Sequence, residues 1–131
     1  MRQIELPVRV YIEDTDAGGI VYYVNYLKYM ERARTEYLRA LGFDKQYLLG
    51  QDHLFVVQQV TVNYRLPATL DDQLRVVARP ARRGRAFIDF EQAVLRGDDS
   101  LCDATVRVVC VARATMKPAP FPREIHDALP R

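Results

Sequence analysis

The chain has 131 residues, of which 49% are hydrophobic and 27% are charged, and its formal net charge at pH 7 is +2. This length predicts a single domain over residues 1–131. The small net charge gives no reason to expect binding to nucleic acid, and no stretch approaches the ~18 apolar residues that a membrane-spanning helix needs.

The first predicted elements are a strand, a polar loop and a long helix. Apolar residues alternate over 7–12, which is typical of a strand, and a glycine pair at the end of residues 13–19 indicates a loop. From Val24 the apolar residues recur at helical spacing until Gly42, a residue type that often follows a helix. The helix should have about 18 residues and be roughly 27 Å long. Its apolar stripe consists of Tyr26, Met30, Ala33, Tyr37 and Leu41.

Four further strands are predicted after the helix. They are expected over residues 55–65, from Leu74 to Pro80, over 86–95 and over 101–114, and turn residues separate several of them. Short connections between successive strands predict a largely antiparallel sheet, which one helix can cover only if the sheet curls around it. The residues expected on one face of the first of these strands are Val56, Val60, Val62 and Tyr64.

The end of the chain is predicted to be irregular, since residues 117–131 contain four prolines and show little periodicity. The expected fold class is therefore α+β, with the single long helix and the sheet as its two layers.

The two cysteines, Cys102 and Cys110, lie on the same predicted strand. At 3.3 Å per residue their Cα atoms would be about 26 Å apart, whereas a disulfide needs them within about 7 Å. They are expected to be free, which suits a reducing compartment. Because the N-terminus also has no apolar stretch of signal-peptide length, the sequence predicts a cytoplasmic protein.

Several common kinds of catalytic site are disfavoured by the residue types present. Ser100 is the only serine and lies among turn residues, so a Ser-His-Asp nucleophile is not expected. The two histidines, His53 and His126, belong to no cluster with metal-ligand spacing, so no metal site is expected. Neither a Walker motif nor a G-x-G-x-x-G motif occurs. Any chemistry must therefore depend on carboxylates, backbone groups and tyrosines.

The best candidate for a reactive site is the loop directly before the long helix. It contains Asp14 and Asp16, followed by Gly18 and Gly19, which let a ligand approach the backbone closely. Unpaired N–H groups at a helix N-terminus can bind a developing oxyanion and help to keep a nearby carboxylate ionised. An ionised Asp beside them could hydrolyse a reactive carbonyl such as a thioester. By spacing alone, a turn and helix cap without chemistry is the more common arrangement.

Two further features have both a functional and a structural interpretation. Arg79, Arg82, Arg83 and Arg85 crowd one predicted hairpin. They could bind phosphate groups or keep an exposed hairpin tip soluble. Glu31 on the helix could act as a second acid or base, although pairing on the helix surface is more usual for such a residue.

The sequence around the loop resembles the signature of the hotdog-fold thioesterases. The similar residues are VRVYIEDTDAGGIVY over 8–22, Asn25-Tyr26 and ERARTE over 31–36, and the resemblance continues as far as Met116-Lys117-Pro118. It is strongest to the 4-hydroxybenzoyl-CoA thioesterase type and to the Tol–Pal-associated acyl-CoA thioesterase branch. The resemblance implies a curved antiparallel sheet of about five strands around one long helix. It also implies a homodimer or homotetramer with active sites between subunits.

The same resemblance implies roles for individual residues. Asp16 matches the catalytic carboxylate, which acts as nucleophile or as general base on water, and Tyr23 matches the residue whose backbone N–H serves as oxyanion donor. The implied activity is hydrolysis of a short-chain or aromatic acyl-CoA, with coenzyme A as part of the substrate and no cofactor or metal. The positions that match substrate-binding residues are Gly19, Val21, Tyr22, Arg83 and Arg85, of which the two arginines match the residues that meet coenzyme A.

One residue departs from the Tol–Pal-associated branch, which usually has His where this chain has Tyr23. A backbone donor survives that change, but an acid–base role of the His does not, and an aromatic residue is more similar to the hydroxybenzoyl type. Two alternatives stay open. One is a non-catalytic acyl-CoA or acyl-carrier binding protein that acts through partner complexes. The other is a dehydratase or hydratase, which would need a histidine such as His53 beside Asp16.

Overall fold

In the computed structural model, the described residues are 3–43 and 52–130. They contain one sheet, one long helix and two short helical segments. The strands are β1 (Ile4–Arg9), β2 (His53–Tyr64), β3 (Gln73–Arg83), β4 (Phe87–Arg96) and β5 (Asp99–Ala112). The helices are α1 (Val24–Ala40), α2 (Arg123–Ala128) and a 3-10 turn at Ile12–Asp14.

The five strands form one antiparallel sheet in the order β1-β3-β4-β5-β2. Strands β1 and β2 are therefore its two edges. Helix α1 packs on β1, β3 and β4, and its buried face includes Tyr26, Met30, Ala33 and Tyr37, as the helical spacing predicted. The ring of Tyr37 meets Phe90 of β4 edge-on, with centroids 5.6 Å apart. The predicted α+β fold, a sheet of about five strands with one long helix, is confirmed.

The edge strand β2 extends beyond the cover of the helix. Its residues Val57, Val60 and Tyr64 pair with Val108, Val106 and Cys102, which puts their side chains on the helix side of the sheet. They are nevertheless 47%, 40% and 43% exposed. Exposed apolar side chains on an edge strand mark a surface suited to association.

The predicted grouping of Val56 with Val60 on one face of β2 is wrong. The register with β5 shifts between Val57 and Gln59, so one extra residue stands in β2 at that point. A single extra residue inverts the alternation of faces. Val56 therefore points to the outer face of the sheet, whereas Val60 points to the helix side.

Two boundaries also differ from the sequence prediction. The first strand ends at Arg9 rather than at residue 12, because Ile12–Asp14 turn into a 3-10 helix. The tail predicted as irregular contains α2, whose Ile125 is 1% exposed and belongs to the hydrophobic core. The helix was not predicted because prolines surround this segment. Pro122 stands just before the first residue of α2, where its missing N–H costs no helical hydrogen bond.

Both cysteines lie on β5 and are free, as predicted, and both are buried. Burial raises the pKa of the Cys102 thiol to about 12 and that of Cys110 to about 11. Both thiols therefore stay protonated at neutral pH and serve as packing residues. Within residues 3–43 and 52–130, no helix is both long enough and apolar enough to cross a membrane.

Candidate active site

The loop between β1 and α1 is held in place through Asp14. Its carboxylate accepts a hydrogen bond from the backbone N–H of Tyr11 at 2.9 Å. Its carbonyl oxygen accepts two more, from the N–H of Tyr22 at 2.9 Å and from the side-chain amide of Asn25 at 2.8 Å. The first acidic residue of the loop thus ties the loop to the start of the helix.

Asp16, the second acidic residue, is exposed and much less constrained. Its Oδ1 accepts the N–H of Gly18 at 2.8 Å, and no other donor among the described residues bonds to its carboxylate. A short turn in the backbone orients it, since its N–H donates to the Ile20 carbonyl at 2.9 Å and its own carbonyl accepts the N–H of Gly19 at 3.1 Å. Gly19 has φ +82, which favours glycine. The second carboxylate oxygen of Asp16 remains available to a substrate or a water.

Tyr23 stands immediately before the first residue of α1. An antiparallel bridge between Thr15 and Val21 brings the loop next to this position. The neighbouring N–H of Tyr22 is used by Asp14, but the N–H of Tyr23 has no acceptor among the described residues. An unpaired N–H at a helix N-terminus is a ready donor to an anionic oxygen. The structure therefore puts a free backbone donor and the Asp16 carboxylate in the same loop-and-helix unit.

A cleft of about 280 Å³ opens beside this helix start. Its walls are mostly apolar and aromatic, and the ring of Tyr64 contacts those of Tyr23 and Tyr26 with centroids 5.8 and 5.7 Å apart. The Tyr64 hydroxyl also donates to the Tyr23 carbonyl at 3.3 Å. The cleft is lined by Ile20, Val21, Tyr23, Tyr26, Tyr64, Arg65, Leu66 and Pro67.

The sequence prediction missed Tyr64 as a site residue. An aromatic residue at the end of an alternating strand carries no signal of its own, and only the sheet order places that end beside α1. Burial raises the pKa of both Tyr64 and Tyr26. The hydroxyl of Tyr26 accepts the N–H of Ala68 at 2.9 Å. Both phenols are therefore neutral at pH 7 and contribute rings and hydroxyl groups rather than charge.

The predicted phosphate-binding arginines lie at the opposite end of the sheet. Asp16 is close to the start of β3, because Ile20 bridges to Thr69 just before that strand. Arg83 is the last residue of β3, an 11-residue strand whose ends are roughly 33 Å apart. Arg83 and Arg85 make no ion pair with any described residue. One chain by itself does not bring these arginines to Asp16.

The remaining candidates also lie away from Asp16. Glu31 lines a separate groove with Arg34 and Thr35. His53 begins β2 at the arginine end of the sheet, and His126 lies on α2. A dehydratase would need a histidine beside Asp16, and within one chain no histidine of the described residues lies there. In the same residues, no group of three or more His, Cys, Asp or Glu side chains is placed to hold a metal ion.

Comparison with known proteins agrees with this fold. The sequence profile of the thioesterase-like superfamily matches residues 10–129. The chain therefore belongs to the thioesterase-like superfamily, and the predicted enzyme class, a thioester hydrolase, is confirmed.

Individual relatives cover nearly the whole chain. The acyl-CoA thioesterase YbgC of Haemophilus influenzae is 50% identical over 123 residues, which are 93% of this chain and 90% of that protein. The acyl-CoA thioester hydrolase YbgC of Escherichia coli O157:H7 is 45% identical over 121 residues, 91% of this chain and 90% of that protein. A crystal structure of a probable thioesterase from Bartonella henselae superposes with a TM-score of 0.85 at 34% identity, covering 92% of this chain and 99% of that one.

Proposed function

We propose that the protein hydrolyses short-chain or aromatic acyl-CoA thioesters, with Asp16 as the reactive carboxylate and the Tyr23 N–H as oxyanion donor. The observation that carries this proposal is an exposed carboxylate with one uncommitted oxygen, on a loop that leads directly to an unpaired N–H at a helix start. The names of the two YbgC relatives support the choice of acyl-CoA as substrate. Coenzyme A is then part of the substrate, and the reaction as proposed needs no cofactor or metal.

In the proposed reaction, the Tyr23 N–H binds the thioester carbonyl oxygen and stabilises the negative charge that forms on it. One such donor typically contributes a factor of about 100 to 1,000 to the rate. Asp16 acts in one of two ways. It attacks the carbonyl carbon, releases the thiolate and forms an anhydride that water hydrolyses. Alternatively it takes a proton from the attacking water, and that proton then goes to the departing thiolate.

The cleft beside Tyr23 is the proposed site for the acyl group. Its volume is about 280 Å³, and Val21 and Tyr64 offer an aliphatic and an aromatic wall. Such a cleft suits a short chain or a single aromatic ring. Gly19 and Tyr22, which flank Val21 on the loop and at the helix start, are proposed to contact the substrate as well.

A second copy of the chain is proposed to complete the site. Strand β2 is an edge with exposed Val57 and Val60, so it can pair with its own copy across a two-fold axis. Antiparallel pairing of this kind brings the His53 end of one β2 beside the Tyr64 end of the other. The His53 end is also the arginine end of the sheet. Arg83 and Arg85 of the partner subunit would then approach the cleft and bind the phosphates of coenzyme A.

A homodimer is the smallest assembly that meets this requirement, and a homotetramer could be built from two such dimers. We also propose a cytoplasmic location, supported by two buried free cysteines in the described chain.

The test is to measure thiol release from acyl-CoAs with short, long and aromatic acyl groups. We expect turnover of short or aromatic substrates by the wild type and a large loss in Asp16→Asn. Equal rates for the two proteins would show that the site is elsewhere. Tight binding of the thioesters without any turnover would instead favour a binding protein.

A further inference from the structure

Two polar side chains, Asn25 and Gln92, are buried among the described residues, with exposures of 8% and 3%. Asn25 lies in the first turn of α1, directly after Val24. Its side-chain amide donates to the Asp14 carbonyl at 2.8 Å, and its backbone N–H donates to the Tyr22 carbonyl at 2.8 Å. A buried amide with a specific long-range partner usually fixes local geometry.

The Asp14 carbonyl is shared by two donors that lie on either side of Tyr23. One is the N–H of Tyr22, just before Tyr23, and the other is the amide of Asn25, two residues after it. Asp14 in turn lies two residues before Asp16. The segment that carries the free Tyr23 N–H is therefore tied at both ends to the backbone that carries Asp16.

We infer that Asn25 is a positioning residue that holds the Tyr23 N–H and the Asp16 carboxylate in register for thioester hydrolysis. This inference rests on the proposed function. Without the Asn25 amide, the Asp14 carbonyl still accepts the Tyr22 N–H, so no buried acceptor loses its last donor. Removing the Asn25 amide therefore leaves no buried group without a hydrogen bond. What it changes is the orientation of the helix start relative to the loop.

The chain provides a matched control at Gln92 on β4. Its side-chain amide also donates to a backbone carbonyl of the helix region, that of Met30, at 3.0 Å, and it accepts a bond from Arg34 at 2.8 Å. Both residues thus make a buried amide-to-carbonyl bond that involves α1. Gln92 differs in that none of its partners belongs to the loop that carries Asp16.

The experiment compares kcat and KM for Asn25→Ala, Asn25→Asp and Gln92→Ala in the full chain. Misplacement of a reacting group by about 1 Å costs roughly 100-fold, so we expect kcat to fall about 100-fold in both Asn25 variants, with KM within about twofold. Asn25→Asp keeps the shape but removes the donor at neutral pH. Gln92→Ala should lower the melting temperature at least as much as Asn25→Ala, since Gln92 has two partners, and should keep kcat within about twofold of wild type.

The amide resonance of Tyr23 gives a readout that does not depend on activity. We expect it to shift or broaden in Asn25→Ala and to stay unchanged in Gln92→Ala. If wild type hydrolyses thioesters and Asn25→Ala keeps its kcat, or if Gln92→Ala loses kcat equally, the inference is overturned. If wild type hydrolyses none, the proposed function fails, and an unchanged Tyr23 resonance in Asn25→Ala would overturn the inference as well.

Discussion

The loop before α1 and the arginine hairpin between β3 and β4 are stabilised in different ways. The loop depends on hydrogen bonds to backbone groups, such as the two that end on the Asp14 carbonyl. The hairpin depends on charged and aromatic side chains, since Arg107 lies over the Phe87 ring at 4.2 Å and pairs with Asp89 through two bonds of 2.7 and 2.8 Å. Hydrogen bonds fix the backbone of the loop, whereas the hairpin presents charge.

The two regions also lie at opposite ends of the sheet, so they can act together only across two subunits. Because the two regions are separate, substitutions can test the proposed role of each one. Changes in the loop should alter the chemical step, changes in the hairpin should alter substrate binding, and changes in β2 should disconnect the two regions.

The largest effect is expected from Asp16→Asn. The substitution keeps the acceptor for the Gly18 N–H but removes the charge needed for attack or proton abstraction. General-base catalysis contributes about 100- to 10,000-fold, so kcat should fall within that range in thiol-release assays, with KM nearly unchanged.

The matched control is the same carboxylate-to-amide change at Asp14, whose side chain accepts the Tyr11 N–H. Asp14→Asn should cost about 1 kcal/mol of stability and less than about tenfold in kcat. If Asp14→Asn lowers kcat more than Asp16→Asn does, the assignment of Asp16 as the reactive carboxylate is wrong.

The next effect is expected at the midpoint of β2, from Val60→Asp. In a two-fold antiparallel pair, residues near the middle of the strand lie close to their own copies, so two like charges would meet there and oppose pairing. We expect the molar mass in light scattering to fall to that of one chain, with the KM for acyl-CoA rising at the same time.

Thr105→Asp serves as the control, since it adds the same charge on the exposed outer face of β5, one strand away from the free edge of β2. An unchanged oligomeric state in Val60→Asp would exclude β2 as the proposed interface. So would dissociation of both variants to the same extent, because the effect would then not depend on a charge at the edge strand.

A smaller and more selective effect is expected from Arg83→Ala combined with Arg85→Ala. A hydrogen bond to a charged group contributes about 1.5–3 kcal/mol, so the KM for an acyl-CoA should rise about tenfold or more while kcat stays near wild type. An acyl-pantetheine, which lacks the nucleotide phosphates, should show no such rise.

Arg79→Ala is the control from the same strand, because that arginine already pairs with Glu91. An equal rise in KM for acyl-CoA and acyl-pantetheine would mean that the two arginines do not act on the phosphates.

The smallest effect is a pH-dependent loss of stability at the hairpin end. The hydrogen bonds from Arg107 hold the pKa of Asp89 below its usual value of 3.8. The unfolded chain therefore binds a proton at this site at a higher pH than the folded protein does. The stability that Asp89 contributes is present above pH ~4 and is lost as the pH falls through its lower folded-state pKa.

We expect Asp89→Asn to lower the free energy of unfolding by about 1 kcal/mol at pH 7 and to flatten its decline below pH ~4. Urea unfolding at several pH values measures both. Equal slopes in the variant and the wild type would show that other carboxylates govern the acid sensitivity.

Much of the fold followed from local patterns. The helix was expected from Val24 because its buried residues recur every three or four positions, and α1 begins there. The later strands were found within about three residues of their predicted positions because turn residues separate several of them. The extra residue in β2 could not be recognised from the sequence, because it hardly changes the composition of the strand. It nevertheless inverts which face of the sheet the preceding side chains occupy.

The candidate site was predictable only in part. The spacing of residues in the sequence identified the loop but could not choose between Asp14 and Asp16. The two acids differ in the hydrogen-bond donors that the folded chain places near them. The resemblance pointed to Asp16, and the structure supplies a physical basis for that choice, since Asp14 is the acid committed to backbone contacts. Tyr64 and Asn25 acquire their importance from contacts to residues 41 and 11 positions away.

The sequence by itself determined the class of this protein. Helical spacing, strand alternation and the loop signature are local properties, so they can be recognised in the amino-acid sequence alone. Only the tertiary structure decided which groups can meet. It separated the arginine hairpin from Asp16 by the length of a strand, brought Tyr64 to the helix start and placed β2 at an edge of the sheet. These outcomes depend on sheet order and register, which arise from contacts between residues far apart in the chain.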